Sequence, residues 1–215
     1  MHKKREIIKM LNSMSGSRST YDVFSDWVKL MALSIQNSCQ IFHDAIWNAR
    51  EGEYLKTITP YGTDGMKFVE MAGMLAETME TEMSDFLGEI YMESGCGNKN
   101  TGQFFTPFHL SYACARLSLC GKDHSKPIAI NEPSCGGGGM IIAAAKTLKD
   151  CGVNYQCSMK VVAQDLDWKA VYMCYVQLSL LGINAIVIQG NTLTETWNSR
   201  PKECIFRTPK NMGIM

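Results

Sequence analysis

Four consecutive glycines, Gly136 to Gly139, stand between a short apolar run, Ile128-Ala129-Ile130, and a stretch of small and apolar residues that starts at Met140. A turn without side chains lets backbone N–H groups approach a ligand closely, and a following helix aims its N-terminal donors at the same point. This arrangement suits a nucleotide-shaped cofactor. On composition alone the run reads equally as a flexible linker, so its flanks decide. Asp165 closes a second apolar run, Val161-Val162-Ala163-Gln164, 29 residues after Gly136. An acid at the carboxyl end of a second strand accepts hydrogen bonds from ribose hydroxyls. The alternative for Asp165 is to cap the next helix, but Asp167 is better placed for that and leaves Asp165 available. Dehydrogenase chemistry is not indicated. The G-x-G-x-x-G fingerprint needs glycine at position 141 or 142, and both are isoleucine.

The elements that must position these residues follow from periodicity. Residues 128–130 predict a first strand, the glycines a turn, and Met140 to about Lys149 a helix. Met159 to Gln164 predicts a second strand, Asp167 to Leu181 a helix ended by Gly182, and Ala185 to Gln189 a third strand. Such β-α-β-α-β alternation implies a parallel sheet, half of a doubly wound α/β fold, with ligands over the carboxyl ends of its strands. Upstream, Phe24, Trp27, Val28, Met31, Ile35, Phe42 and Ile46 predict one amphipathic helix over 20–48. Phe68 through Ile90 repeat the helical period to about residue 92, after breakers at 59–65. A further helix follows Pro107 to about Cys120, and Thr106 before it either offers its hydroxyl to a ligand or caps that helix. The turn-forming Gly95-Cys96-Gly97-Asn98 marks a boundary between a helical domain at 1–98 and an α/β domain at 99–215.

Composition narrows the classes. At 46% hydrophobic and 20% charged residues, the chain is ordinary for a globular protein, and no apolar run approaches the roughly 18 residues that span a membrane. The basic start, Met1 to Arg5, lacks an apolar stretch behind it, so a signal peptide is not expected. Nine cysteines without a CxxC pair and four scattered histidines predict reduced, cytoplasmic packing residues and no metal site. Residues 99–215 hold twelve bases against seven acids, an excess of five. That is compatible with contact to nucleic acid phosphates and too weak to argue for it unaided.

In this order the motifs resemble those of the adenine-N6 DNA methyltransferases, especially modification subunits of type I restriction systems. Gly102-Gln103-Phe104-Phe105-Thr106-Pro107 is similar to the family's G-x-F-Y-T-P element, and Glu132-Pro133-Ser134-Cys135-Gly136-Gly137-Gly138 to its D-P-A-C-G-S-G turn. Gln164-Asp165 matches the acidic ribose position, Gly190-Asn191-Thr192-Leu193 the G-D-T-L element, and Asp85 to Tyr91 the close of the N-terminal helical domain. The resemblance implies a partial Rossmann-like S-adenosylmethionine-dependent methyltransferase fold. It implies S-adenosylmethionine as cofactor, held by Gln103, Phe104, Phe105, Thr106, Pro107, Phe108, Glu132, Ser134, Cys135, Gly136, Gly138, Asp165 and Asn191. Glu132 would receive the ammonium of the methionine moiety, or else be a solvated loop acid. Cys135 would be a small pocket wall, because transfer from a sulfonium needs no nucleophile. Asn191 would meet the cofactor's adenine amine, or serve only as a turn residue.

Adenine-N6 transfer in this family uses a D/N-P-P-Y/F site after the fourth strand, whose oxygens accept hydrogen bonds from the target amine while the aromatic ring stacks on the flipped base. Here Glu203-Cys204-Ile205-Phe206 is the candidate fourth strand, and Arg207-Thr208-Pro209-Lys210 follow it. A cation stands where an acceptor is needed. Because the sequence stops at Met215, later strands and a target-recognition region are expected to be absent, leaving an open sheet edge for a specificity subunit or a second copy. Two readings follow: an enzyme methylating DNA adenine with a partner's help, and a binding protein that holds S-adenosylmethionine without transferring methyl groups.

Overall fold

The computed structural model describes residues 2–16, 18–95, 104–196 and 199–214. Its first part is helical: α1 (His2–Ser13), α2 (Thr20–Ser38), α3 (Ala45–Ile58), α4 (Gly65–Thr81) and α5 (Phe86–Glu93). The helix expected over 20–48 is two helices. Cys39 to Asp44 separate them, Ile41 and Phe42 lie exposed, and the Asp44 carboxylate accepts the Trp47 N–H at 2.8 Å to start α3. The helix expected from Phe68 to residue 92 is also divided. Glu82 is extended, and the Asp85 carboxylate takes the Gly88 N–H at 3.0 Å, beginning α5. In both places a short acid caps a new helix more favourably than the apolar period continues the old one. Helix α1 carried no such signal in the sequence reading. It buries Ile7 and Leu11, and Lys4 holds Glu89 and Glu93 of α5.

The second part contains α6 (Phe108–Leu119), β1 (Ile128–Glu132), α7 (Gly139–Asp150), the single turn α8 (Tyr155–Ser158), β2 (Met159–Asp165), α9 (Trp168–Leu180), β3 (Asn184–Gln189) and β4 (Ile205–Arg207). The strand order is β1-β2-β3-β4. The first three strands are parallel, and their register brings Glu132 opposite Ala163 and Asp165 opposite Gln189. Their carboxyl ends therefore finish together, which is what places a ligand site there. Pro107, not Thr106, occupies the N-cap of α6, so the threonine is not used as a cap.

One buried apolar cluster runs from the helices into the sheet. Phe24, Trp27, Leu75, Leu87 and Tyr91 join Ile142, Val161, Val171, Tyr175 and Val187 in it. Helix α9 is its hub, with α2 packed across one side and β2 and β3 against another. Each such large side chain contributes about 1.5–3 kcal/mol on burial. Lys169, inside this core, places its ammonium 3.1 Å from the hydroxyls of both Tyr21 and Tyr91 and 3.2 Å from Asp167. A buried cation is tolerable only with such partners. The opposite face of the sheet carries Ala129, Asn131, Lys160, Val162, Asn184 and Ile186 and forms an open groove. The outer edge of β1 has no neighbouring strand among the described residues.

The fourth strand departs from expectation. It pairs antiparallel with β3, Arg207 opposite Ile186 and Ile205 opposite Ile188. Arg207-Thr208-Pro209-Lys210 consequently lie at the amino end of β3, where Thr208 donates its hydroxyl to the Ile183 carbonyl at 2.7 Å and accepts the Ala185 N–H at 3.0 Å. At about 3.3 Å per residue along β3, that puts Arg207, opposite Ile186, about 10 Å from the ligand end of the sheet and the residues after it up to about 16 Å away. No helix among the described residues is long and apolar enough to cross a membrane.

Candidate functional site

At the carboxyl end of the sheet the chain leaves β1 through Pro133 and Ser134 and enters the glycine turn. Gly136 and Gly138 have φ of 52° and 92°, values that L side chains rarely adopt. Three hydrogen bonds hold the turn: Cys135 N–H to the Gln164 carbonyl at 2.9 Å, Gly138 N–H to the Cys135 carbonyl at 2.7 Å, and Gly136 N–H to Asp165 Oδ2 at 2.9 Å. The other oxygen of Asp165 accepts the Asp167 N–H at 3.0 Å, while Asp167 caps α9 by accepting the Lys169 N–H. Asp165 thus fixes the turn as well as standing at the end of β2.

Behind the turn lies a residue that the sequence did not mark as part of a site. Asp85 is 4% exposed, and its Oδ1 accepts both the Gly88 N–H and, at 2.8 Å, the Gln177 Nε2. Gln177, on α9, also donates to the Gly137 carbonyl at 2.7 Å and accepts the Leu87 N–H at 3.0 Å. This buried network ties α5, the turn and α9 together. It also explains the glycines. A Cβ at Gly88, Gly137 or Gly139 would sit 2.2, 2.7 or 3.0 Å from an Asp85 carboxylate oxygen, and one at Gly136 would sit 2.9 Å from the Phe105 ring. In the sequence Asp85 stood out only through the resemblance of Asp85 to Tyr91 to the close of the family's N-terminal helical domain.

Asp85, Phe104, Phe105, Thr106, Ser111, Ser134, Cys135, Gly136, Gly137, Gly139 and Met140 enclose a cavity of about 90 Å³. Of the residues named from the sequence, Phe104, Phe105, Thr106, Ser134, Cys135 and Gly136 line it, and Glu132, Gly138, Asp165 and Asn191 do not. Phe105 leans on Tyr91, ring centroids 5.1 Å apart. Pro107 starts α6 and Phe108 packs against the core beside the cavity. Gln103 falls outside the described residues. Ser111, which the sequence reading passed over, is fully buried, and its hydroxyl has no hydrogen-bond partner among the described residues. Leaving such a group unpaired costs about 1–3 kcal/mol.

Electrostatics sharpen the roles. Burial raises the Asp85 carboxyl above the usual aspartate range, with Glu89 adding to the rise against the hydrogen bonds from Gln177 and Gly88. No cation pairs with it among the described residues. Burial likewise raises Glu132, and the nearby Asp165 adds to it, while the Ser134 N–H opposes. Glu132 does not line the cavity and makes a long contact of 3.4 Å to that N–H. The Cys135 thiol is pushed up by its hydrogen bond to Cys174 and then by burial, the state of a packed wall and not of a reactive thiolate.

The loop after β3 closes the site from the other side. Gly190 N–H reaches the Asp165 carbonyl at 2.9 Å, and the Thr192 hydroxyl reaches the Pro133 carbonyl at 2.7 Å. Asn191 Oδ1 accepts the Leu193 N–H at 3.0 Å, so its side chain is engaged in a local turn. Arg200 clamps the loop by bonding the Gln189 carbonyl, the Gln189 side chain and Glu195. Arg207, Thr208, Pro209 and Lys210 do not come near this site.

A family model described as N-6 DNA methylase matches residues 83–210. Among solved structures, one described as a class I S-adenosylmethionine-dependent methyltransferase from Listeria monocytogenes superposes with a TM-score of 0.54 at 13% identity. The match covers 91% of this chain and 55% of that one. The type I restriction-modification system methyltransferase subunit from Streptococcus thermophilus superposes with a TM-score of 0.50 at 15% identity, covering 93% of this chain and 41% of that one. At these identities the likeness is one of fold, and the chain spans about half the length of these structures. No curated protein matches it.

Proposed function

Because this chain belongs to the N-6 DNA methylase family, we propose that the cavity and strand ends form the S-adenosylmethionine site of a DNA adenine-N6 methyltransferase resembling the modification subunit of type I restriction systems. The observation that carries this reading is the convergence of Phe104-Phe105-Thr106, the Gly136–Gly139 turn and Asp165 at one end of the sheet, with Asp165 bonded to the turn itself. The residues present fit the group. The Ser111 hydroxyl lacks a partner among the described residues, and each Asp165 oxygen accepts a single backbone N–H, which leaves acceptor capacity for a ribose. When bound, S-adenosylmethionine supplies a methyl group activated by its sulfonium. This chain's residues would bind and orient that group: Phe104 and Phe105 wall the cavity, Asp165 would hold the ribose, and the loop at Asn191 would border the adenine. Gln103, Pro107 and Phe108 belong to the same motif, Gly138 shapes the turn, and Glu132 stands at its entrance.

The acceptor side is different. Arg207 to Lys210 lie at the far end of β3, so presentation of a DNA adenine falls to other groups, supplied by a specificity subunit or a second copy at the open β1 edge. The same placement favours the second reading, a protein that binds S-adenosylmethionine without transferring methyl groups. Tritiated methyl transfer to unmethylated DNA, at saturating cofactor with candidate partner subunits present, separates the two. Incorporation that depends on this chain supports the enzyme. Cofactor binding with no incorporation under every partner combination refutes it.

A further inference from the structure

Arg207 follows the sequence position at which a hydrogen-bond acceptor was expected, and the antiparallel β4 carries it toward the amino end of β3. There Arg207 lines a groove with Arg50 of α3 and with Lys202, just ahead of β4, together with Gln36 of α2 and Asp44 of the link behind it. We propose that this groove is a phosphate site, in which Arg50, Lys202, Arg207 and the Gln36 amide converge on a phosphate group of a nucleic acid backbone or of a free nucleotide. The groove shares no lining residue with the cofactor cavity.

Charge sets the sign of the ligand. Arg50, Lys202 and Arg207 share the groove with a single carboxylate, Asp44, which already caps α3 by accepting the Trp47 N–H. Asp44 and Glu203 attract Arg50, yet neither forms an ion pair with it among the described residues, and burial is the larger influence, disfavouring its charge. Arg50 Nε is buried with no hydrogen-bond partner among the described residues. The rest of its guanidinium makes one long bond, 3.4 Å, to the Ile205 carbonyl and lies over the Phe206 ring. The Arg207 side chain bonds the neutral Asn211 at 3.2 Å. Charges drawn out of water are normally paired, and a phosphate supplies the opposite charge. Gln36 adds a neutral donor. It is 4% exposed, its oxygen accepts the Arg207 N–H at 2.9 Å, and its Nε2 reaches only the Met212 sulfur at 3.6 Å, a weak acceptor. One arginine fork is enough for a carboxylate. Donors arriving from α2, α3 and both sides of β4 suit the several oxygens of a phosphate, whose geometry the guanidinium matches.

The test replaces the two exposed cations in the full chain, Lys202→Gln together with Arg207→Gln, and keeps Arg50 because it packs on Phe206. The control, Lys122→Gln together with Lys126→Gln, removes the same charge from an exposed loop elsewhere. Binding of a fluorescently labelled DNA duplex is followed by anisotropy over a range of salt, and binding of ATP and inorganic phosphate by calorimetry. If the phosphate belongs to a nucleic acid, the Lys202 and Arg207 variant should bind duplex about tenfold more weakly at low salt, uniformly across unrelated sequences, with the slope of log K against log salt reduced by up to about two. The control should stay within about twofold of wild type. If the source is a free nucleotide, the selective loss appears for ATP or inorganic phosphate and not for duplex. Equal weakening in both variants would mean general attraction to a charged surface and overturn the proposal. Unchanged binding in the Lys202 and Arg207 variant would overturn it, as would a wild-type protein that binds none of the three ligands. S-adenosylmethionine titration of the same proteins reports on the cofactor cavity separately, so failure of this site and failure of the cofactor reading are distinct results.

Discussion

Asp165→Ala probes two links at once, because the carboxylate holds the glycine turn and faces the proposed ribose. In the folded protein its oxygens accept Gly136 N–H at 2.9 Å and Asp167 N–H at 3.0 Å. A hydrogen bond to a charged group contributes about 1.5–3 kcal/mol. The Asp167 amide can turn to water once freed, whereas Gly136 sits within the turn, so removal should lower stability by about 2–4 kcal/mol in urea unfolding. Binding should suffer separately. Losing the ribose acceptor and loosening the turn should cost about 1.5–3 kcal/mol of S-adenosylmethionine affinity, or roughly 10- to 150-fold. Asp165→Asn should fall between, since its amide can accept one of the two backbone bonds and not both. Urea melts and calorimetric titration of the three proteins test this. Asp165→Ala with wild-type stability and affinity would refute the reasoning. Lost stability with unchanged affinity would confine Asp165 to holding the turn.

Other substitutions separate the site from its surroundings. Gly137→Ala places a Cβ 2.7 Å from Asp85 and should destabilise by about 1–3 kcal/mol as an overpacked site and abolish cofactor binding. Gly73→Ala, with open space around it in the middle of α4, should stabilise by about 0.5–1 kcal/mol in thermal melts. Arg207→Ala with Lys210→Ala should leave cofactor affinity within about twofold by calorimetry, whereas Thr208→Ala, which strands the Ala185 N–H and Ile183 carbonyl contacts, should cost about 1–3 kcal/mol of stability. Burial holds the Asp85 carboxyl above its unfolded value. Its contribution to stability is present at low pH and is lost as pH rises through the folded value. The melting temperature of ligand-free wild type should show a fall over that range that Asp85→Asn lacks, and identical pH profiles would contradict it.

What the sequence disclosed depended on how local the cause was. Strands β1 to β3, helices α7 and α9 and the glycine turn were legible because period-two and 3.6-residue patterns, with glycine at positive φ, are written in neighbouring residues. The breaks at Cys39–Asp44 and Glu82–Asp85 were not, because the apolar period runs on across them while Asp44 and Asp85 start new helices. The direction of β4 was also hidden. Three residues carry no polarity signal, and its antiparallel seat is set by distant groups, including Gln36, whose side chain accepts the Arg207 N–H at 2.9 Å. That one reversal moved Arg207 to Lys210 away from the site. Most of the cavity was foreseen from the Phe104–Thr106 and Gly136 motifs. Asp85 and Gln177 were not, since each reads locally as an ordinary cap or a buried helix position, and they meet only when α5 and α9 pack around the turn.

Calorimetric titration of the purified chain with S-adenosylmethionine tests the central claim most directly. One site with a micromolar dissociation constant, about −8 kcal/mol, is the predicted result, and no binding up to millimolar cofactor would contradict it.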